Sequence, residues 1–331
     1  MLRASIVGLG SWARVILRSM PEHSESIRFT SAVVRRPESV APAVQEYGFD
    51  VTTSYEQMLA DPNIDAVVLC TPHGQHAGQI LAAARAGKHV FCEKPLTMTR
   101  ADAVAAVEAC RAHGVVLAVG HERRFEPPIM DLKAAMDEGL LGKPMHIEAN
   151  FSHDILTRER ADSWRLDAED APAAGLTGPA IHMLDRAISL FGKIESLYAQ
   201  CVKVGSDMPQ GDTLSVLLKF TGGQTAYVGS LIATPFLSRF QLFGSQASVE
   251  IKDKAWVDKP AGWSVEWRRC NEDPETRSYP PATPIFANLE AFASAITHGT
   301  PYPIPAEQQI ETVACIEAVS RSLRSGGPVS L

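Results

Sequence analysis

Two periodicities divide this chain. Up to about residue 120, short apolar runs alternate with amphipathic stretches; beyond residue 145, apolar and polar residues alternate position by position. The runs at 4–9, 29–34, 66–70, 88–92 and 115–119 read as strands, with 50–52 as a short extra one. The run Ala66-Val67-Val68-Leu69-Cys70 is unbroken, which suits a strand covered on both faces. Between the strands lie helical patterns running to Met20, to Tyr47, over 54–60, over 73–86 and over 101–113, the last capped by Thr99. Strand and helix in strict alternation predict right-handed crossovers in a parallel sheet.

In the second half a helix is predicted over 124–138, with Pro127 and Pro128 tolerated only in or just before its first turn. Strands follow at 146–152, 196–204, 213–220, 225–231, 239–243 and 248–251. The turns Thr221-Gly222-Gly223-Gln224 and Gly244-Ser245-Gln246 join neighbours as antiparallel hairpins. Helices are few, at 179–191, 285–298 and 306–324, so one sheet face is left for a second subunit, as in a homodimer or homotetramer. The last helix, with Ile310, Val313, Ile316 and Leu323 on one side, is expected to pack back across the domain junction.

Composition narrows the function classes. With 331 residues, 45% hydrophobic and 21% charged, the chain has room for two domains of ordinary globular make-up. A formal charge of −7 argues against nucleic acid or an anionic membrane as partner. No apolar stretch is long enough to span a bilayer, and no signal-peptide pattern precedes the first strand, so the expected location is the cytoplasm. The six cysteines are scattered without a C-x-x-C pair, as free thiols in a reducing compartment would be.

Candidate chemistry begins where the first strand ends. Gly8-Leu9-Gly10-Ser11-Trp12-Ala13 is a G-x-G-x-x-A turn opening a helix: Gly8 permits the turn, Gly10 lets a diphosphate approach, and Ala13 allows close packing of helix on strand. At the end of the second strand, where an acidic residue would hold the ribose of NAD, stand Arg35 and Arg36. Two guanidinium groups suit a 2′-phosphate, which favours NADP over NAD. The small, polar Thr71 falls at the carboxyl end of the fourth strand. Lys94, in Cys92-Glu93-Lys94-Pro95, leaves the fifth strand at the sheet edge where such folds bind ligands.

The ordered set G-x-G-x-x-A, Cys70-Thr71-Pro72 with His76, Glu93-Lys94-Pro95, and Arg124-Phe125 with Pro127 resembles the Gfo/Idh/MocA family (glucose-fructose oxidoreductase, inositol dehydrogenase, rhizopine catabolism). The resemblance implies an α/β chain: an N-terminal Rossmann dinucleotide-binding domain over 1–121 and a C-terminal α+β domain over 122–331, with a large, mostly antiparallel open sheet for substrate and oligomerisation. It implies a dinucleotide site made from Gly8, Gly10, Ser11, Trp12, Ala13, Arg35, Arg36, Cys70, Thr71, Pro72, His73, His76, Glu93, Lys94, Pro95 and His121. It also favours a cis bond between Lys94 and Pro95, and association through the open sheet.

The segment from Gly175 to Asp185 compares with the family's D-x-G-x-H-x-x-D pattern. His182 and Asp185 match its last two positions, whereas Gly178 stands where relatives carry the first Asp. Lys94 is then the acid/base, taking the hydroxyl proton as hydride leaves carbon, and His182 its partner by orientation or relay. Candidate substrate contacts are Lys94, Arg124, His153, Trp164, Arg165 and His182, with His121 and Asp154 beside them. An indole next to a guanidinium, as at Trp164-Arg165, can stack on a sugar ring while donating to its hydroxyls. The acidic loop 157–174 reads as a lid. A metal site at His182 and Asp185 lacks a third ligand at recognisable spacing.

The function these features favour is NAD(P)-dependent hydride transfer to or from a secondary alcohol or carbonyl of a sugar, polyol or cyclic diol. The alternatives are a hydrolase or epimerase that oxidises its substrate transiently on a retained cofactor, and a dinucleotide-binding protein without catalysis.

Overall fold

The computed structural model describes Met1–Leu331 apart from residues 23, 159–162, 168, 174 and 258. Six residues of the loop 157–174, and with them most of its expected role as a lid, therefore lie outside the described residues. The chain divides into two compact units, one of Met1–Glu122 with Ile285–Ile310 and one of Arg123–Pro284 with Glu311–Leu331.

The first unit is built on strands β1 (Leu2–Val7), β2 (Ile27–Val33), β3 (Asp50–Thr52), β4 (Ala66–Leu69), β5 (His89–Cys92) and β6 (Leu117–Val119). They form one parallel sheet in the order β3-β2-β1-β4-β5-β6. The crossovers carry helices α1 (Ser11–Ser19), α2 (Ala41–Tyr47), α3 (Tyr55–Ala60), α4 (His76–Arg85) and α5 (Arg100–Ala112). Local chemistry starts two of them: Ser54 accepts the Gln57 N–H ahead of α3, and Thr99 the Asp102 N–H ahead of α5. Strand order reverses at β1, between β2 and β4, so a crevice opens at the carboxyl ends of β1 and β4.

The second unit opens with a 3-10 turn and α6 (Pro127–Asp137), whose two prolines occupy the first turn as expected. Its sheet contains β7 (Pro144–Ser152), β8 (Ile194–Val202), β9 (Thr213–Phe220), β10 (Thr225–Leu231), β11 (Leu237–Gly244), β12 (Ala247–Asp253), β13 (Trp263–Arg269) and β14 (Glu275–Tyr279). Helix α7 (Ile181–Phe191) lies between β7 and β8 in sequence. The chain ends with α8 (Pro284–Thr297), α9 (Ala306–Ser325) and the short β15 (Val329–Ser330).

The sheet order is β14-β13-β12-β11-β7-β10-β9-β8-β15, antiparallel except where β10 pairs with β7 in parallel. That pairing follows from joining β7 to the sheet across α7 and two intervening strands, a connection no hairpin could make. Strands β13, β14 and β15 are missing from the sequence reading. Trp263–Arg269 does alternate, with Trp263, Val265 and Trp267 buried, so its pattern was there to be read; Glu275–Tyr279 has no buried residue, and only its pairing with β13 discloses it.

Alternation sets the core of this unit. On β9, Leu214, Val216, Leu218 and Phe220 are buried while Leu217 and Lys219 are exposed. Nearly every residue of α7 is buried as well, so α7 is a central helix rather than an amphipathic cover. In the first unit, Phe292 of α8 meets Phe91 of β5 edge to face at 5.7 Å. The Asn288 side chain and the Tyr302 hydroxyl both donate to the Val119 carbonyl. The segment from Ile285 to Ile310 is thus part of the first unit's core, a return that the boundary at residue 121 does not mark.

Candidate active site

At the end of β1 the chain turns through Gly8, whose φ of +84° favours glycine. A Cβ there would also lie 2.9 Å from the Cys70 carbonyl oxygen, so the β1 and β4 ends approach as closely as backbone allows. Gly10 caps α1 without a side-chain partner, and nothing lies within 4 Å of where its Cβ would be. The turn therefore presents open backbone at a helix start, which fits a dinucleotide's diphosphate. Ala13 is buried in the first turn of α1. Arg35 and Arg36 are exposed just past β2.

The loops after β4 and β5 are tied together by His76, fully buried, whose ring nitrogens lie 2.8 Å from the Pro95 carbonyl and 3.0 Å from that of Thr71. Of the residues expected at the dinucleotide, His76 is thus a strut that shapes the loop. His73 packs beside it at 5.8 Å, and the Thr71 hydroxyl donates to Gln79 at 2.6 Å. Lys94–Pro95 is cis, as expected. Cys70 and Cys92 carry thiols that burial pushes well up, so neither is a nucleophile.

Lys94 is half-buried immediately beyond β5, and its backbone N–H donates to the Glu93 carboxylate at 3.2 Å. That carboxylate is packed against Gly120, where a Cβ would lie 2.5 Å from Oε1. Burial first, and then the charge of Glu122, push the Glu93 carboxyl up to about 8, while Trp12 and Lys94 pull it the other way. Gly120 leads directly into His121, buried at the end of β6. Glu93, Lys94, Gly120 and His121 therefore share one sheet edge with Gly8 and Thr71.

In the second unit, His182 sits in the first turn of α7, buried, with its ring 6.0 Å from Phe151. The turn before it, Leu176–Ala180, is a π-helical turn closed by an Ala180 N–H to Gly175 carbonyl bond of 2.8 Å. Such turns recur at functional sites. A Cβ at Gly178, inside it, would meet only Leu156, at 3.7 Å.

Arg124 and Asp185 are brought together: Nε and Nη2 of Arg124 donate to the two carboxylate oxygens at 2.7 and 2.6 Å, and Thr312 adds a third bond at 3.2 Å. The Arg124 fork is directed at Asp185 rather than presented to solvent. His153, buried at the end of β7, accepts the Ile155 N–H at Nδ1 at 3.2 Å. Asp154 pairs with Arg158. The Arg165 guanidinium lies 4.6 Å over the Trp164 ring, so these two stack on one another.

Two groups went unnoticed in the sequence. The first is the buried network of Arg123, Glu126, Arg186 and Asp253, with Arg123 donating to Asp253 at 2.5 Å and to Glu126 at 3.1 Å, and Arg186 to Glu126. The second is a cluster of rings around Trp256 and Phe236. Apart from Arg123 and Glu126, three residues apart on one turn, the members are remote in sequence, on a helix, a strand end or separate connections, so no spacing marks either group. Among the described residues no group of three His, Cys, Asp or Glu is placed to hold a metal ion, and no helix is long and apolar enough to cross a membrane.

Residues 2–121 match the oxidoreductase family with an NAD-binding Rossmann fold, and 129–250 match the GFO/IDH/MocA C-terminal domain. The chain is 28% identical over 314 residues to D-xylose 1-dehydrogenase (NADP(+)) 2 of Haloferax volcanii, covering 94% of this chain and 95% of the relative. It is 32% identical over 256 residues to 1,5-anhydro-D-fructose reductase of Ensifer adhaerens, covering 75% and 74%. In structure it is similar to aldose-aldose oxidoreductase from Caulobacter crescentus, solved with glycerol, at a TM-score of 0.88 and 26% identity over 100% of this chain and 99% of that one. Both halves of the chain belong to the Gfo/Idh/MocA family of NAD(P)-dependent oxidoreductases acting on CH–OH groups.

Proposed function

We propose that this protein oxidises a secondary alcohol of a sugar or polyol, or reduces the matching carbonyl, with Lys94 as acid/base and His182 as its partner. The observation that carries the reading is the position of Lys94: half-buried, directly past β5, on the sheet edge that also holds Gly8 and Thr71. The names of relatives that act on D-xylose and 1,5-anhydro-D-fructose support the substrate class.

The bound nicotinamide supplies the hydride acceptor or donor. In the oxidising direction Lys94 takes the hydroxyl proton at Nζ, and in the reducing direction it returns it to the carbonyl oxygen. His182, held against Phe151 at the start of α7, orients the hydroxyl or relays the proton. Gly8 and Gly10 hold the diphosphate through backbone, and Arg35 and Arg36 favour NADP by meeting a 2′-phosphate.

The open sheet supports a homodimer or homotetramer. Tyr198, Leu217 and Tyr227 lie in register across β8, β9 and β10, with Leu217 53% and Tyr227 37% exposed on the uncovered face. The decisive experiment is a screen of aldoses, ketoses and cyclitols followed by NAD(P)H absorbance, run beside light scattering. Absence of net cofactor turnover with every class would refute the oxidoreductase reading.

A further inference from the structure

Four adjacent strands bring a set of rings to one edge of the second sheet. β7 ends in Phe151-Ser152, with His153 next. β11 starts at Leu237 opposite Ser152, with Phe236 just ahead of it. β12 ends at Asp253 opposite Trp263, and Trp256 lies in the connection between those strands. Phe236 meets Trp256 at 5.3 Å and 88°, Phe151 meets Trp256 at 5.4 Å, and His153 meets Trp256 at 4.8 Å. Phe151 in turn touches His182 at 6.0 Å, so the wall leads straight to a candidate catalytic imidazole.

The base of this wall is rigid and its rim is wet. Phe151 is buried under the Arg123 guanidinium, 4.2 Å above its ring, and Arg123 is itself held by Asp253 and Glu126. Phe236, by contrast, is 36% exposed and Trp256 half-buried. Large rings left partly in water beside fixed polar groups are the usual make-up of a small-molecule site.

We infer that Trp256 and Phe236 form a platform for the C–H face of a pyranose or cyclitol ring; this rests on the polyol reading above. Two features choose that ligand. The perpendicular pair offers one face and one edge, which leaves no parallel slot for a planar base, whereas a puckered ring needs only one apolar face. Nearby charge is internally matched, two guanidinium groups meeting two carboxylates, so no excess cation awaits a phosphate or carboxylate. The stacking role that sequence gave to Trp164, whose ring Arg165 covers, falls instead to Trp256.

The test is saturation-transfer NMR on the full chain with NADP⁺, irradiating aromatic protons, with D-xylose, D-glucose and myo-inositol as probes. Wild type should transfer saturation to ring C–H protons of at least one probe. Trp256→Ala should weaken that probe about tenfold with NADP⁺ affinity within about twofold, and Trp256→Phe should restore most of it. Phe236→Ala, on the exposed rim, should cause the same loss and serves if Trp256→Ala fails to fold. Undiminished sugar binding in either alanine variant overturns the platform and leaves the polyol reading standing. No transfer to any probe in wild type overturns both.

Discussion

Arg124 clasps Asp185 through two parallel hydrogen bonds of 2.7 and 2.6 Å, in surroundings where the carboxylate is 2% exposed. This joins the turn after β6 to the helix that carries His182. Removing one partner leaves the other charge buried, so Arg124→Ala should lower unfolding free energy by about 3–5 kcal/mol in urea titrations. Arg124→Met with Asp185→Leu together should cost less than the two single changes summed, because no orphan charge then remains. Additive costs would show the pair to be uncoupled.

Glu93 gives the protein a pH-dependent term. Its carboxyl is raised from 4.5 to about 8, by burial and then by Glu122, so the folded state holds a proton that the unfolded chain releases. Stability from this group is complete below its unfolded value and is lost as pH climbs through about 8. Glu93→Gln, a neutral isostere, should flatten the fall in melting temperature between about pH 5 and 9. An unchanged slope would show that Glu93 is ionised in the folded protein.

Gly175 and Gly178, three positions apart, should respond oppositely to alanine. Gly175 has φ +78°, and a Cβ there would lie 2.6 Å from the Ser230 hydroxyl, so Gly175→Ala should cost about 1–3 kcal/mol. At Gly178 a Cβ meets only Leu156 at 3.7 Å, and Gly178→Ala should be neutral or stabilising by up to about 1 kcal/mol. Urea midpoints that rank the two in the other order would contradict the turn geometry.

If Lys94 is the acid/base, Lys94→Met should nearly abolish turnover while cofactor affinity stays within a few-fold, since its amine would act on the reacting oxygen and not on the diphosphate. Lys94→Arg should fail almost as badly, because a guanidinium keeps its proton across the working range. Steady-state kinetics beside cofactor titration separates the two effects. Substantial turnover in either variant would move the proton chemistry to His182.

Arg35→Asp should narrow or reverse a preference for NADPH over NADH, as it removes a phosphate partner and adds repulsion. Dissociation constants for the two coenzymes decide this. NADH binding at least as tight in wild type would reject the preference itself.

The first unit was legible because its signals are local. A buried parallel strand must be short and apolar, a crossover helix must follow it, and residues at strand ends such as Gly8, Thr71 and Lys94 are delivered to one edge by that order alone. Periodicity of two likewise gave β9 and β10 with the bounds they have in the structure, 213–220 and 225–231. Tertiary structure alone decided partners whose meeting depends on register. Nothing in the spacing of Arg124 and Asp185, or of Arg123 and Asp253, marks them as pairs, since the contact exists only once helix and sheet are docked. The same holds for Trp256 beside Phe236. Each is an isolated aromatic in its own loop, and adjacency of β11 and β12 in the sheet makes one surface of them. Sequence patterning encodes which face of an element is dry, and it carries no record of which other element covers that face.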